Sequence, residues 1–358
     1  MSKKIESLRR SIEGIDIEIL KLISRRIDAA REIGRLKMSS SLPLRDPAVE
    51  EKVISRYVEE GTRLKIGRDA AKQIASILIR ESVEAQSRIA PLNETKDVLV
   101  IGGAGKMGSW MCRYLASMGH NIRVNDVVKS REFPNANSLE SSVAKSDFIV
   151  VATPISEVWK VLRQVTDLCP KGIVFDISSV KSPIVPLLKA SVEKGISICS
   201  VHPMFGPETK TVFDRNIIVC ECGSSDAAQS VTDLLNWGGA RMIRMPVDAH
   251  DELMGIVLGL SHALNIAFFD ALTKSKLDYA ILEDVASTTF RRQVATSRDV
   301  SFENPELYYE IQHLNPYNER ALDLLTRAVE EVKDAASSDD ERKLADIMEN
   351  GRRYFGGD

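Results

Sequence analysis

The chain has 358 residues, enough for two or three domains of ordinary size. Its 44% hydrophobic and 28% charged residues exclude a disordered or fibrous protein. A formal net charge of −3 gives no general attraction to nucleic acid or anionic membranes, so neither is an expected partner, and cations that meet an anionic ligand must be local. The five cysteines (Cys112, Cys169, Cys199, Cys220, Cys222) include no Cys-x-x-Cys pair, and the five histidines no His-Glu-x-x-His motif. Neither disulfides nor a metal site is expected. No basic-then-apolar leader opens the chain, and the expected location is the cytoplasm.

Residues 3–37 lack proline and read as one long helix. Apolar side chains at Ile5, Leu8, Ile12, Ile15, Ile19 and Leu22 alternate three and four apart, a heptad seam expected to be core. Asp46-Pro47 is an N-cap and first-turn pair that starts a second helix reaching about Glu60. A third helix is expected from about Asp69 to Arg88, and "IAPLNETK" (89–96) reads as a linker. Residues 1–90 thus predict an all-helical domain.

From residue 97 the strand-like runs DVLVI, NIRVN, DFIVVA, GIVFDI and SICSV alternate with helical patterns, as in a parallel α/β sheet. After about residue 246 the strands stop. The expected division is a Rossmann-type α/β domain over 97–246 and an all-α domain over 247–358. In the latter, "DELMGIVLGLSHALNIAFFDAL" is apolar almost all round, which predicts a buried helix, between the subunits of a homodimer. Its most apolar stretch, Leu253–Phe269, is interrupted by Ser261, His262 and Asn265 and falls short of a membrane span.

Within the α/β region, Gly103-Ala104-Gly105-Lys106-Met107-Gly108 matches G-x-G-x-x-G between a strand and a helix. Gly103 would permit the tight turn, Gly105 a close backbone approach to a pyrophosphate, and Gly108 close helix–strand packing. The helix start at Lys106 and Met107 would favour the anion. Asp126 ends the next strand, about twenty residues downstream, where a ribose-binding carboxylate belongs. A carboxylate there repels a 2′-phosphate, so NAD is expected rather than NADP. The alternative is a glycine turn in a Rossmann-like fold that binds something else.

Polar residues on core-facing lines point to a second site. The heptad seam continues to positions 26, 29, 33 and 36, and Ala29, Ile33 and Leu36 comply, but position 26 is Arg26. Lys37, about three turns on, projects from nearly the same face. In the third helix the line through Ile74 and Leu78 continues to Ser82 and Gln86. An arginine in a helical core must meet an anion or lose stability. Jointly these groups predict a polar pocket for a small anion. The alternative has Arg26 setting helix register, with Ser82 and Gln86 solvated.

With "SLRRSIEGIDIEILKLISRRIDAAREIGRLK", "LPLRDPAVEE" and "RESVEAQSR", residues 1–90 resemble the all-helical chorismate mutase family. The resemblance implies carboxylate clamps at Arg9 and Arg26, and Lys37 and Gln86 as donors to the ether oxygen of chorismate. It further implies Asp46 and Glu50 as hydroxyl-binding acids, with Ser82 in the same pocket. The family usually carries an arginine directly before the glutamate, where this chain has Val49; Arg45 is the candidate replacement. Arg9 and Arg26 stand seventeen residues apart on one helix, about 25 Å along its axis. Both can serve one pocket only if Arg9 comes from the second chain of a two-fold dimer.

Downstream, "ATPI" (152–155), "DISSVKSP" (176–183) and "VHPMFGPET" (201–209) resemble prephenate dehydrogenases over most of residues 97–330. The resemblance implies NAD on the glycine loop, with Thr153 and Pro154 beside it. It implies His202 as the group that takes the ring hydroxyl's proton, Ser179 as a hydrogen-bonding neighbour, and Lys181 next to it. His262 of "GLSHAL" and Arg291 of "TTFRRQ" match substrate-pocket residues, Arg291 for a carboxylate that suits its paired donors, with Arg292 and Arg298 nearby as alternatives. The whole resembles the fused chorismate mutase–prephenate dehydrogenases of tyrosine biosynthesis, which make prephenate and then consume it, with tyrosine as a feedback inhibitor. The alternatives are N-terminal helices that only oligomerise, arogenate as the substrate, and a ligand sensor without turnover.

Overall fold

A computed structural model describes residues 2–39, 45–87 and 94–357. Three helices come first: α1 (Ser2–Ser39), α2 (Pro47–Arg63) and α3 (Arg68–Ser87). Asp46 caps α2, its carboxylate accepting from the Ala48 and Val49 amides at 3.1 and 3.2 Å, and Pro47 fills the first turn. Arg88 and residues 89–93 of the expected linker lie outside the described residues. Helix α3 packs against both α1 and α2. Its buried stripe therefore widens to Ala71, Ala75, Leu78, Ile79, Ser82, Val83 and Gln86, while Ile74 is left exposed. Small residues set the spacing of α2 and α3: a Cβ on Gly61 would stand 2.8 Å from the Cβ of Ala71.

The heptad seam is not the core of this chain. Ile5, Leu8, Ile12, Ile15, Ile19 and Leu22 are exposed, as are Ala29, Ile33 and Leu36. The reason is length. At 38 residues α1 runs to about 57 Å, against about 30 Å for the 20 residues of α3. Among the described residues of α1 only Ala30 and Gly34, both in its C-terminal half, are buried.

The sheet is built from β1 (Asp97–Ile101), α4 (Lys106–Ser117), β2 (Asn121–Asn125), α5 (Leu139–Val143), β3 (Phe148–Val151), α6 (Ile155–Asp167), β4 (Ile173–Asp176), α7 (Val185–Glu193), β5 (Ile198–Pro203), β6 (Asn216–Glu221), α8 (Ser225–Leu235) and β7 (Arg241–Pro246). Strand order is β2-β1-β3-β4-β5-β6-β7; the first five are parallel and β6 runs antiparallel to β5. Leu99, Val100, Ile149, Val150, Val174 and Phe175 are wholly buried, which is why these strands read as unbroken apolar runs. Strand order reverses between β1 and β3, and the crevice beyond their carboxyl ends is the ligand position of such sheets. Strands β6 and β7 are additions to the five expected. β7, "RMIRMP", is a charged strand at the end of the sheet and carries little apolar signal.

The chain clusters into two compact units. The first joins the three N-terminal helices to the sheet: residues 1–153, 160–178 and 187–245. The second holds residues 154–159, 179–186 and 246–358. Its helices are α9 (Val247–Met254), continued by a π-helical stretch (Gly255–Leu260) into α10 (Ser261–Lys274), then α11 (Tyr279–Asp284), α12 (Thr288–Ser301), α13 (Pro305–Leu314), α14 (Asn318–Ala336) and α15 (Glu341–Tyr354). The expected burial of the 251–272 helix does not occur within the chain. Over its most apolar 18-residue window only 22% is buried, and Leu253, Ile256, Val257 and Leu264 are exposed. Inside the unit this helix presents Met254 and its glycines: a Cβ on Gly259 would meet the Asn318 carboxamide oxygen at 2.0 Å. Counted from Val247 to Lys274, the run is long and apolar enough to cross a membrane by length and composition, which the shorter Leu253–Phe269 stretch is not.

Replacing Gly61 by valine should destabilise the three-helix region by about 1–3 kcal/mol through overpacking against Ala71. Urea denaturation followed by circular dichroism reads this, and an unchanged midpoint would mean that α2 and α3 are not in close register.

Candidate active sites

The glycine loop between β1 and α4 is cut to fit something against its backbone. The left-handed residue is Gly102 (φ +84°), one position before the turn glycine expected from the motif. A Cβ on Gly108 would lie 2.0 Å from the Gly102 carbonyl oxygen, so α4 can approach β1 this closely only with glycine at 108. Gly103 is required by packing instead, its Cβ position falling 2.8 Å from Val124. Helix α4 starts at Lys106 with Gly105 as its N-cap and no side-chain cap, which leaves amide donors at its positive end. Asp126, just past β2, reaches over the loop: one carboxylate oxygen accepts from the Ala104 amide at 2.9 Å and the other from the Val128 amide at 3.1 Å. Thr153 follows β3 with its hydroxyl buried and without a hydrogen-bond partner. A cradle without Cβ atoms, an open helix N-terminus and a carboxylate at the neighbouring strand end fit a dinucleotide. Lys106 is exposed, and Met107 packs on the sheet core.

A second cavity, of about 420 Å³, opens among the N-terminal helices. Arg26 and Lys37 of α1, Asp46, Val49 and Glu50 at the start of α2, and Ser82 and Gln86 of α3 all line it. Arg26 donates from one guanidinium nitrogen to the Leu78 carbonyl at 2.5 Å and to the Ser82 hydroxyl. The Gln86 amide is buried, and its oxygen has no partner among the described residues. Buried amides are seldom left unpaired, and this one faces the cavity. Arg9 does not reach this cavity; it is exposed on the far half of α1.

Nor does Arg45 take the place of the arginine that Val49 lacks. Its Nε and one terminal nitrogen fork onto the two oxygens of Glu50 at 2.9 and 2.7 Å, and its other nitrogen reaches Asp214 at 3.3 Å. The guanidinium lies over the Phe213 ring, 4.8 Å from its centre. Its hydrogen bonds to the Glu50 carboxylate raise its pKa, against the opposing effect of burial.

Among the remaining candidates, His202 is the fifth residue of β5. It is buried and pairs in register with Ile218 of β6. On the neighbouring strand β4, the buried Asp176 accepts from the Ser178 amide and hydroxyl at 2.9 and 2.6 Å, turning the chain at the head of "DISSVKSP". Asp176 escaped the sequence reading because an acid ending an apolar strand looks like a loop residue.

Ser179 and Lys181 belong to the second unit. Lys181 is fully buried, and its amide, with that of Ser182, donates to Asp251 of α9 at 2.6–3.0 Å. His250, also fully buried, meets the same carboxylate at 2.7 Å. Burial alone would raise the Asp251 pKa, but hydrogen bonds from His250, Ser182 and the two amides outweigh it and hold the carboxyl below its ordinary range. This buried His–Asp pair anchors the "SSVK" turn. Burial lowers the pKa of His262, so its imidazole is neutral at neutral pH; its Nδ1 is buried without a partner, and its ring lies 4.4 Å from that of Tyr308. Arg291, near the start of α12, is exposed, whereas Arg298 stacks on Phe302 at 5.8 Å.

Residues 8–87 match the family model of chorismate mutase type II. Residues 123–243 and 246–350 match those of the prephenate dehydrogenase nucleotide-binding and dimerization domains. The T-protein of Haemophilus influenzae is 23% identical over 357 residues, covering 98% of this chain and 92% of that protein. The chain belongs to the fused chorismate mutase–prephenate dehydrogenase family. It joins an isomerase to an NAD-dependent oxidoreductase in the synthesis of tyrosine. A probable arogenate/prephenate dehydrogenase of Methanocaldococcus jannaschii is 27% identical over 278 residues; the match takes in 74% of this chain but 62% of that protein's length. In fold, the dehydrogenase part resembles the crystal structure of prephenate dehydrogenase from A. aeolicus in complex with hydroxyphenyl propionate and NAD+ (TM-score 0.60, 18% identity, 74% of this chain and 98% of that one).

In the dehydrogenase, Asp251→Asn should cost about 2–3 kcal/mol, because a carboxamide nitrogen would face donors that a carboxylate now accepts. Because its folded pKa lies below the ordinary 3.8, Asp251 contributes its full stability above that pH and loses it as pH falls through the folded value. Urea titrations from pH 7 down to about pH 3 should therefore show a shallower acid loss in the variant than in the parent.

Proposed function

We propose that the two reactions proceed at two separate sites, with chorismate rearranged to prephenate in the helical cavity. The supporting observation is the convergence of Arg26, Lys37, Ser82 and Gln86 on one cavity. The rearrangement needs neither base nor nucleophile. It needs a dianion held in a folded conformation and donors at the ether oxygen, which gains negative charge as its bond breaks. Arg26 binds a carboxylate, and Lys37 and Gln86 donate to the ether oxygen. Asp46 and Glu50 accept from the substrate hydroxyl, and Ser82 lines the same pocket. Removing one such donor raises the barrier by about 3–4 kcal/mol. Arg9 completes the site from a second copy of the chain, across the exposed apolar seam of α1.

Prephenate is then oxidised and decarboxylated to 4-hydroxyphenylpyruvate. The glycine loop (Gly103, Gly105, Gly108) with Lys106 and Met107 holds the pyrophosphate of NAD, Asp126 its ribose, and Thr153 and Pro154 border it. When bound, NAD supplies the hydride acceptor. His202 takes the proton of the ring hydroxyl while carbon dioxide leaves and the ring becomes aromatic. Histidine suits this because its charge change falls at about pH 5–8. Ser179 hydrogen-bonds the same hydroxyl beside Lys181, His262 contacts the substrate as a neutral imidazole, and Arg291 pairs with a carboxylate. On this reading the protein is a cytoplasmic homodimer, and tyrosine inhibits it through these same sites.

Chorismate plus NAD should yield NADH and 4-hydroxyphenylpyruvate in one coupled assay. His202→Asn should abolish NADH formation while prephenate still accumulates from chorismate; an unchanged dehydrogenase turnover removes His202 from the mechanism.

Homodimers of Arg9→Ala and of Arg26→Ala should each lack mutase activity. Refolded together, about half the dimers are mixed and carry one intact site, so activity should return to roughly a quarter of wild type. Mixed dimers verified by tags but without activity would exclude a shared pocket.

A further inference from the structure

Arg45 is bound to both halves of the first unit. Its fork onto Glu50 uses Nε and one terminal nitrogen, at 2.9 and 2.7 Å, and both side chains are largely covered, 21% and 17% exposed. Its remaining nitrogen reaches Asp214 at 3.3 Å, and its flat face rests on Phe213. Those two residues follow the "VHPMFGPET" segment of the nucleotide-binding domain, and Asp214 has φ +57°. The Asp214 amide donates to the Gly239 carbonyl at 3.2 Å. Gly239 (φ +76°) presses its backbone on the Arg45 stem and on Val83: a Cβ there would lie 3.1 Å from each. Val83 is a wall of the helical cavity, and Glu50 lines it. One guanidinium thus links a cavity acid to a turn of the other domain.

We infer that Arg45 is a positioning residue for the mutase: it holds Glu50 for the substrate hydroxyl and is itself held by the 213–214 turn and Gly239 of the nucleotide-binding domain. The inference rests on the helical cavity being the mutase site. It means that this mutase pocket is finished by a surface of the dehydrogenase half. A planar fork with two parallel bonds fixes the direction of a carboxylate, which a single ammonium cannot do. The acid contacts substrate before and during the rearrangement, so misplacing it weakens binding more than it slows the chemical step.

The test uses the full-length protein and follows prephenate formation from chorismate without NAD. Arg45→Gln should raise the chorismate KM roughly tenfold or more, the loss of a charged hydrogen-bond pair, with kcat within about twofold. Arg45→Lys should recover only part of the loss. Asp214→Lys, a change in the other domain, should raise the same KM about threefold or more by repelling Arg45. The double variant should be no worse than Arg45→Gln alone, because Asp214 acts through Arg45. An unchanged KM in Arg45→Gln, or additive effects in the double variant, overturns the inference. A second readout is hydrogen exchange: in Arg45→Gln the amides of Asp46, 48–50 and 212–215 should exchange faster together, and unchanged protection overturns the tie. Wild-type protein that forms no prephenate would instead overturn the assignment of the cavity, and the exchange measurement still decides whether Arg45 joins the two domains.

Discussion

A half-buried guanidinium between two helices needs partners for its donors, and in the helical domain that demand falls on Arg26. The carbonyl of Leu78 and the hydroxyl of Ser82 satisfy one nitrogen from α3, and the remaining donors border the cavity. Helix packing, pocket polarity and ligand charge follow from that single placement. A cation held there favours an anionic ligand.

The nucleotide site obeys a steric constraint of the same kind. Helix α4 approaches β1 so closely that no side chain fits at position 108, and this proximity directs the helix amides at whatever lies over the loop. Buried acids also fix the residues of "DISSVKSP" within each unit. Asp176 turns the chain after β4, and Asp251 with His250 grips the backbone of Lys181 and Ser182. Both acids are buried and act through backbone amides, so they set the loop's shape without needing to touch substrate.

Large apolar surfaces are left open by the single chain in two places: the seam of α1 and the helix from Val247 to Lys274. Each reads as core in the sequence, and each is left uncovered by the described residues. The heptad pattern reports that a face is apolar and is silent about which molecule covers it. The second surface falls within the stretch, 246–350, that matches the prephenate dehydrogenase dimerization domain.

Local chemistry made much of this protein legible in its sequence. The Asp46-Pro47 cap, the glycine loop, the apolar parallel strands, and polar groups on otherwise apolar helix lines (Arg26, Ser82, Gln86) are short-range patterns. They are dictated by backbone hydrogen bonding and by the 3.6-residue period of the helix. What they could not contain is the meeting of distant residues. Asp251 lies seventy positions from the amide of Lys181, and Arg45 is 169 positions from Asp214. Neither pair has any periodic trace in the chain. The shift of the left-handed turn from Gly103 to Gly102, the charged strand β7 and the fork of Arg45 onto Glu50 were likewise decided by tertiary packing. Their energies come from contacts that exist only once the sheet and helices are assembled, whereas caps and periodicities are present in any stretch of the chain that folds locally.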